Sequence, residues 1–307
     1  MECRKKVSVA VLLSSYNGET FIRDQIESIL HQVGDFSLHL IIRDDGSIDC
    51  TKNIIETIAK ENSNISIYEG KNIGVNASFY ELIKIAPKVD YYAISDQDDI
   101  WLPEKLQIAI SALEENPSKM LYGSASICVD KDLNYINIEP VINKKITIYN
   151  TMIQNFIAGH TQVFTKKFAE IILSEYDLKK IYAYDAYFTN IAMINNALYF
   201  DEKSYVYYRL HENNVVGTGT NFMDWMKKNI KRIKSGQGHL YSIQFDYIAN
   251  KYKSLFSLEQ NREIEMFQTE KRNFWTRLLY IRKMKFYRQS DKETIVFKLL
   301  YLLGGWK

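Results

Sequence analysis

Three carboxylates crowd into four residues at Asp96-Gln97-Asp98-Asp99, between the apolar stretch Tyr91-Tyr92-Ala93-Ile94 and Ile100-Trp101-Leu102-Pro103. Left to themselves, such groups repel one another and are costly to desolvate. Two arrangements would relieve that cost. Carboxylate oxygens are hard ligands that suit Mg²⁺ or Mn²⁺, so a divalent cation with a diphosphate on its far side would neutralise the cluster. Alternatively, the aspartates form a solvated acidic turn capping a helix that opens near Pro103, since Asp is favoured at helix starts.

Other residues of suitable chemistry recur at intervals. Ser14-Ser15-Tyr16-Asn17 and Asp44-Asp45-Gly46-Ser47 each follow an apolar run. An aromatic ring such as Tyr16 can stack on or flank a flat nucleotide base, and a carboxylate such as Asp45 can accept an imide N–H. Asp44 suits a role in holding its own turn, and Asn17 suits a cap on a helix beginning near Thr20. Lys71 reads either as a phosphate contact or as an exposed surface lysine. Asp185 is a single carboxylate in the aromatic run Tyr182-Ala183-Tyr184-Asp185-Ala186-Tyr187-Phe188. Apolar surroundings can raise a carboxyl pKa toward the working pH, which suits a general base. The same Asp could serve as a helix cap. Further on, Tyr207-Tyr208-Arg209-Leu210-His211 leads into a loop containing Gly217 and Gly219. Arg209 could meet a diphosphate or close an internal ion pair.

The elements that must position these residues alternate in period. Val7 to Leu13 is a continuous apolar run, as expected of a strand covered on both faces. Phe21, Ile22, Ile26, Ile29 and Leu30 then recur at helical spacing. Leu38–Ile42, Ile65–Tyr68 and Tyr91–Ile94 read as further strands, with helical patterns after each: Ile54, Ile55 and Ile58; Phe79, Leu82, Ile83 and Ile85; and Leu106, Ile108, Ile110 and Leu113 behind Pro103. Four strand–helix repeats predict an α/β fold with a parallel, doubly wound sheet. Ligands bind at the carboxyl ends of such strands, which is where the polar clusters fall.

Taken in order, Ser14-Ser15-Tyr16-Asn17, Asp44-Asp45-Gly46-Ser47, Asn72-Ile73-Gly74 and Ser95-Asp96-Gln97-Asp98-Asp99 resemble the strand-end motifs of family 2 glycosyltransferases of GT-A fold, over about residues 7–219. The run Ser95–Trp101 is similar to the DXD motif of the bacterial rhamnosyltransferase subgroup, which commonly appears as SDQDDIW. The resemblance implies a mostly parallel sheet flanked by helices, with a C-terminal helical extension from residue 220. It implies a nucleotide-binding half (about 1–115) and an acceptor-binding half (about 116–219). It places Ser14, Tyr16, Asp45, Lys71, Asp96, Gln97, His160 and Arg209 around a nucleotide-sugar, with Asp96 toward the ribose. Asp98 and His211 fall on a divalent metal, Mg²⁺ or Mn²⁺, Asp185 falls at the general base, and Asp99 is left to cap the following helix. Relatives often carry His-Asp-Trp-Trp around the base and Cys where His160 stands. The implied reaction is an inverting transfer, with L-rhamnose from dTDP-L-rhamnose as the subgroup's donor and a lipid-linked glycan of a bacterial surface polysaccharide as acceptor. A UDP-hexose or UDP-N-acetylhexosamine donor is the alternative, because uracil and thymine present the same imide N–H to Asp45. A nucleotidyltransferase is a more remote reading, and the first strand lacks the Gly-rich basic loop it would need. A non-catalytic nucleotide-sugar-binding protein is the other rival.

Composition sets the surroundings. The 307 residues are 46% hydrophobic and 25% charged, which is ordinary for a globular protein. Cys3, Cys50 and Cys128 have no metal-ligand spacing and fit a reducing cytosol. No apolar run approaches the roughly 20 residues of a membrane span, and the start of the chain does not read as a signal peptide. The net charge of +2 hides an asymmetry: from residue 220 onward there are 18 Lys and Arg against 8 Asp and Glu. Residues 271–289 interleave basic residues with Phe, Trp, Leu, Ile and Tyr, a composition that predicts an amphipathic helix. Phe222, Trp225, Lys227, Lys228, Lys231 and Arg232 repeat the theme. Such a tail can lie on the anionic inner face of the cell membrane, or pack its apolar side internally. No nucleic-acid-binding module accompanies the charge.

Overall fold

The computed structural model of the chain describes residues 6–211, 237–270 and 273–305. The described residues of 1–140, 157–176 and 196–211 form one unit, and those of 141–156, 177–195 and 212–307 form a second.

The first unit is built on a nine-stranded sheet. Its first strands are β1 (Val7–Ser15), β2 (Phe36–Asp44), β3 (Ile65–Glu69) and β4 (Tyr91–Ser95), in the order β3-β2-β1-β4 and all parallel. Helices α1 (Ile22–Leu30), α2 (Thr51–Glu61) and α3 (Val75–Ile85) connect them. The apolar run Val9–Leu13 is wholly buried, because helices cover both faces of β1. Helix α1 presents Ile22, Ile26 and Ile29 to the same core at spacings of four and three residues. The chain moves outward from β1 through β2 to β3, then returns to place β4 on the other side of β1. That reversal opens a crevice at the carboxyl ends of β1 and β4.

Beyond β4 the sheet becomes mixed. Strands β6 (Leu121–Val129), β8 (Val163–Thr165) and β9 (Leu198–Arg209) continue it in the order β8-β6-β9, with β8 antiparallel to β4 and β6 parallel to β9. Strand β5 (Ile100–Trp101) pairs antiparallel with β9, and β7 (Tyr135–Glu139) pairs with β6. Thus Ile100-Trp101, which the sequence placed before a helix, forms a short strand. Helix α4 (Lys105–Glu115) starts after it, and α6 (Lys166–Glu175) follows β8.

Two cap assignments are corrected. Asn17 does not cap α1, which starts at Ile22 behind Phe21 with no side-chain cap. Asn17 takes a left-handed φ of 48° and spends its Oδ1 on the Ile48 N–H at 2.9 Å, while its own N–H goes to Ser47 Oγ. It therefore stitches the loop after β1 to the loop after β2. Asp99 does not cap α4 either, because β5 intervenes and Glu104 occupies the cap position.

The second unit is helical and aromatic. It contains α5 (Ile148–Thr151), α7 (Tyr184–Ile194), α8 (Gln237–Lys251), α9 (Leu258–Glu270), α10 (Phe274–Tyr280) and α11 (Asp291–Leu302). Phe267 lies at the centre of its core, with ring centroids 4.6 Å from Phe286, 4.7 Å from Phe245 and 4.8 Å from Tyr301. The continuous amphipathic helix predicted over 271–289 is corrected, since α10 ends at Tyr280 and the chain from Met284 to Gln289 is non-helical. Met284 and Phe286 turn inward, and the apolar burial they gain offsets the loss of a regular helix. Lys271 and Arg272 lie outside the described residues, as do Phe222, Trp225, Lys227, Lys228, Lys231, Arg232 and the predicted loop with Gly217 and Gly219. Among the described residues, no helix is long and apolar enough to cross a membrane.

Candidate active site

The loops after β1 and β2 build one wall of the crevice. Asp44 holds its turn as expected: its carboxylate accepts from the Ser47 N–H at 3.0 Å and from the Ser15 hydroxyl at 3.2 Å. Gly46 takes φ +84°, and a Cβ there would lie 3.1 Å from two backbone atoms of the neighbouring loop, so the turn requires glycine. Asp45 is buried and accepts from the Arg43 guanidinium, from the Ile73 N–H at 3.0 Å and from the Gly74 N–H at 2.9 Å. These three donors orient the carboxylate and leave part of its accepting capacity open. Arg43 also donates to the Lys71 carbonyl at 3.2 Å, while Lys71 itself is exposed. Ser14 Oγ sits 2.6 Å from Ser78 Oγ, and the Tyr16 ring is exposed at the mouth of the crevice. Sequence reasoning missed Arg43. Its signal was a single cation ending the apolar run of β2, directly before the acidic pair.

Gln97 couples this wall to the acidic loop after β4. Its Oε1 accepts from the Tyr16 N–H at 2.8 Å, and its Nε2 donates to the Tyr16 carbonyl at 3.1 Å. The middle residue of the acidic motif therefore spends its amide on the backbone beside the predicted base-stacking ring.

The carboxylates themselves meet two histidines. His211 Nε2 lies 2.9 Å from Asp98 Oδ2, so the two residues predicted to share a metal are in contact. His160 is buried with Nε2 bonded to Ser126 Oγ at 2.8 Å, and its Nδ1 is 3.3 Å from Asp99 Oδ2 and 3.5 Å from Asp96 Oδ2. The Asp99 contact has no hydrogen-bond geometry, so this fully buried oxygen has no hydrogen-bond partner. Asp96, Asp99 and His160 can each bring one ligand atom within 4.8 Å of the others, a group able to hold a metal ion. Asp99 thus joins the cluster that the sequence reading assigned to its neighbours. Its signal is an aspartate continuing the motif, which the preference of Asp for helix starts obscures.

Electrostatics follow from burial. Burial pushes the Asp99 carboxyl up to about 8, with Asp98 and Asp96 adding to the rise and His160 opposing it. Asp98 is likewise raised by burial and by Asp96, against the pull of His211. Burial alone would lower His160, but the carboxylates of Asp99 and Asp96 outweigh it and raise its pKa. Carboxylates that resist ionising together are those a divalent cation would hold ionised, and hard oxygens with one imidazole suit such an ion. The unpartnered Asp99 oxygen fits that role.

Arg209 stands behind the cluster, in the geometry of an internal pair. Its guanidinium reaches Asp24 Oδ2 and the Asp98 carbonyl, each at 3.2 Å, and lies 4.4 Å from the centroid of the Phe21 ring. Trp101 is buried below, with the Lys105 ammonium 3.6 Å from its ring centroid. Burial draws Lys105 down to about 7.

Asp185 belongs to the second unit, in the first turn of α7. It is half-buried, and its Oδ2 accepts from Asn155 Nδ2 at 2.9 Å.

Residues 10–172 match the sequence profile of Glycosyl transferase family 2. The dTDP-rhamnosyl transferase RfbG of Shigella flexneri is 31% identical over 256 residues, covering 78% of this chain and 83% of that protein. An uncharacterized glycosyltransferase of Haemophilus influenzae is 27% identical over 240 residues, covering 73% of this chain and 72% of its own. Structures of S. aureus TarS residues 1–349, in complex with UDP and with UDP-GlcNAc, superpose with a TM-score of 0.58 at 16% identity, covering 98% of this chain and 89% of the other. That likeness carries the fold: an α/β GT-A sheet with C-terminal helices.

Proposed function

This chain belongs to glycosyltransferase family 2, and from that premise we propose that it transfers L-rhamnose from dTDP-L-rhamnose to a lipid-linked glycan during bacterial surface polysaccharide synthesis. The observation that carries the reading is the placing of Tyr16, Asp45, Asp96, Asp98, Asp99 and His211 at the carboxyl ends of the strands in this fold, with His160, from the turn before β8, against Asp96 and Asp99. The donor assignment is supported by the similarity to RfbG. A UDP-hexose or UDP-N-acetylhexosamine donor is the second reading, favoured by the fold likeness to TarS, whose structures hold UDP and UDP-GlcNAc.

In this reading Tyr16 flanks the base, Asp45 accepts its imide N–H, and Ser14 and Lys71 border the same pocket. Asp96 faces the ribose, Gln97 holds the Tyr16 backbone, and Arg209 holds the acidic loop from behind. Asp98 and His211, with the group Asp96, Asp99 and His160, would hold Mg²⁺ or Mn²⁺. The ion would supply positive charge to the departing diphosphate. Asp185 takes the proton of the acceptor hydroxyl as that oxygen bonds to the anomeric carbon, while the C1–O bond to the diphosphate breaks and its electron pair leaves with the nucleoside diphosphate. Attack from the face opposite the leaving group inverts the configuration. Residues 1–219 carry this chemistry, and the basic extension from 220 keeps the enzyme on the inner face of the cell membrane, beside a lipid-linked acceptor. Trp275 and Leu279 on α10, Ile295 and Leu299 on α11, and Leu303 just after it are exposed apolar residues suited to that contact.

A donor screen tests the reading. Thermal shift and nucleoside diphosphate release are measured across dTDP- and UDP-sugars with Mg²⁺ or Mn²⁺. dTDP-L-rhamnose should stabilise most and turn over, and a response confined to UDP-sugars replaces the donor.

A further inference from the structure

In the helix that carries Asp185, the Asp185 carboxylate accepts from the Ala186 N–H of its own first turn at 2.8 Å. Ala183 occupies the cap position and has no side-chain oxygen, so the backbone N–H groups just before the helix take an acceptor from elsewhere. Gln244, on α8, supplies one. Its Oε1 accepts from the Tyr182 N–H at 2.8 Å and from the Ala183 N–H at 2.9 Å, across about sixty residues of sequence, and its side chain is buried.

The contact is part of a face. Tyr241, Gln244 and Tyr247 recur at intervals of three along α8, which places them on one side of the helix. The Tyr241 ring meets Tyr182 edge-on with centroids 5.0 Å apart, and Tyr247 stacks on Tyr187 at 6.3 Å. Just beyond α8, the Tyr252 hydroxyl lies 2.8 Å from that of Tyr187, two residues after Asp185. Asn155 donates to the Asp185 carboxylate from the other flank. The start of α7 is thereby fixed in rotation and in height by groups distant in sequence.

We infer that Gln244 is a positioning residue for Asp185, and that the C-terminal helices are a working part of the acceptor-side machinery. The inference rests on the general-base role of Asp185 proposed above. A base acts only within hydrogen-bond reach of the proton it removes, and a displacement of about 1 Å can cost about a hundredfold in rate. Releasing two N–H groups at the entry to α7 lets its first turn move.

Gln244→Met keeps the side-chain length and removes the acceptor, whereas Gln244→Glu keeps an acceptor for both N–H groups. The assay is nucleoside diphosphate release from whichever of dTDP-L-rhamnose and UDP-N-acetylglucosamine the donor screen selects, with water as acceptor. We expect Q244M to lose about ten- to a hundredfold in kcat with donor KM within about twofold, and Q244E to recover most of that loss. Wild-type kcat in Q244M overturns the inference, and so does a folded Q244E as slow as Q244M. Should Q244M not fold, Q244E decides alone: near-normal kcat supports the inference, and a loss at normal melting temperature overturns it. Asp185→Asn is run in parallel. If it turns over normally, the general-base reading fails. If it is inactive while Q244M is normal, only the role of Gln244 fails.

Discussion

The side-chain amide of Gln97 pairs with the backbone of Tyr16 as a neighbouring strand would, accepting its N–H at 2.8 Å and donating to its C=O at 3.1 Å. The bond pair spans the point where the strand order reverses, and so links the loop after β1 to the acidic loop after β4. In the proposed mechanism these two loops hold the base and the cation.

Gln97→Leu should separate those loops. Each lost hydrogen bond is worth about 0.5–1.5 kcal/mol, so a modest drop in melting temperature is expected together with a rise in donor KM. Steady-state kinetics with wild-type donor KM would show that the pair has no part in donor binding.

Asp98→Ala should reduce turnover by about 10²–10³-fold while leaving the melting temperature near that of the wild type. EDTA should do the same to the wild-type enzyme, and added Mg²⁺ or Mn²⁺ should restore it. Full activity in excess EDTA would remove the cation from the mechanism.

Asp185→Asn keeps the size and hydrogen-bonding shape of the side chain but cannot take a proton. Donor binding by calorimetry should be unchanged and kcat should fall by about 10²–10⁴-fold. A near-normal rate would remove Asp185 as the base.

Lys105 is buried with its ammonium against Trp101 and no hydrogen-bond partner. Its folded pKa of about 7 lies below the ordinary 10.5, so between those values the unfolded chain binds more protons and stability rises with pH. Below about 7 the penalty is at its full size. Lys105→Met should therefore melt higher than the wild type at pH 7, by the equivalent of about 1–4 kcal/mol, and the gap should narrow toward pH 10. A variant that melts lower at pH 7 would mean that attraction to Asp99 outweighs the cost of burial.

Deleting the end of the chain would strip Tyr280, Phe286 and Tyr301 from the second unit's core, so membrane binding is better tested from outside. Trp275→Ser with Leu299→Ser changes two exposed positions and should weaken co-sedimentation with anionic vesicles at unchanged melting temperature. Failure of the unsubstituted protein to bind such vesicles would end the membrane reading.

Features that depend on neighbours along the chain are legible in the residues alone. The run Val9–Leu13 had to be a covered strand, Ile22, Ile26 and Ile29 had to form a helix face, and the carboxylates after β2 and β4 had to fall at strand ends, because period and strand–helix alternation are local properties. Asp44 holding its turn was legible for the same reason. Which distant groups meet is set by the packing of the folded chain. Asp99 left its expected cap for His160, 61 positions on; Arg209 closed on Asp24, 185 positions away; and the predicted tail helix broke so that Met284 and Phe286 could be buried. Gln244 reached the helix of Asp185 in the same way. A buried side chain takes the partner that satisfies its charge and hydrogen bonds in the packed interior, and periodicity carries no record of that partner.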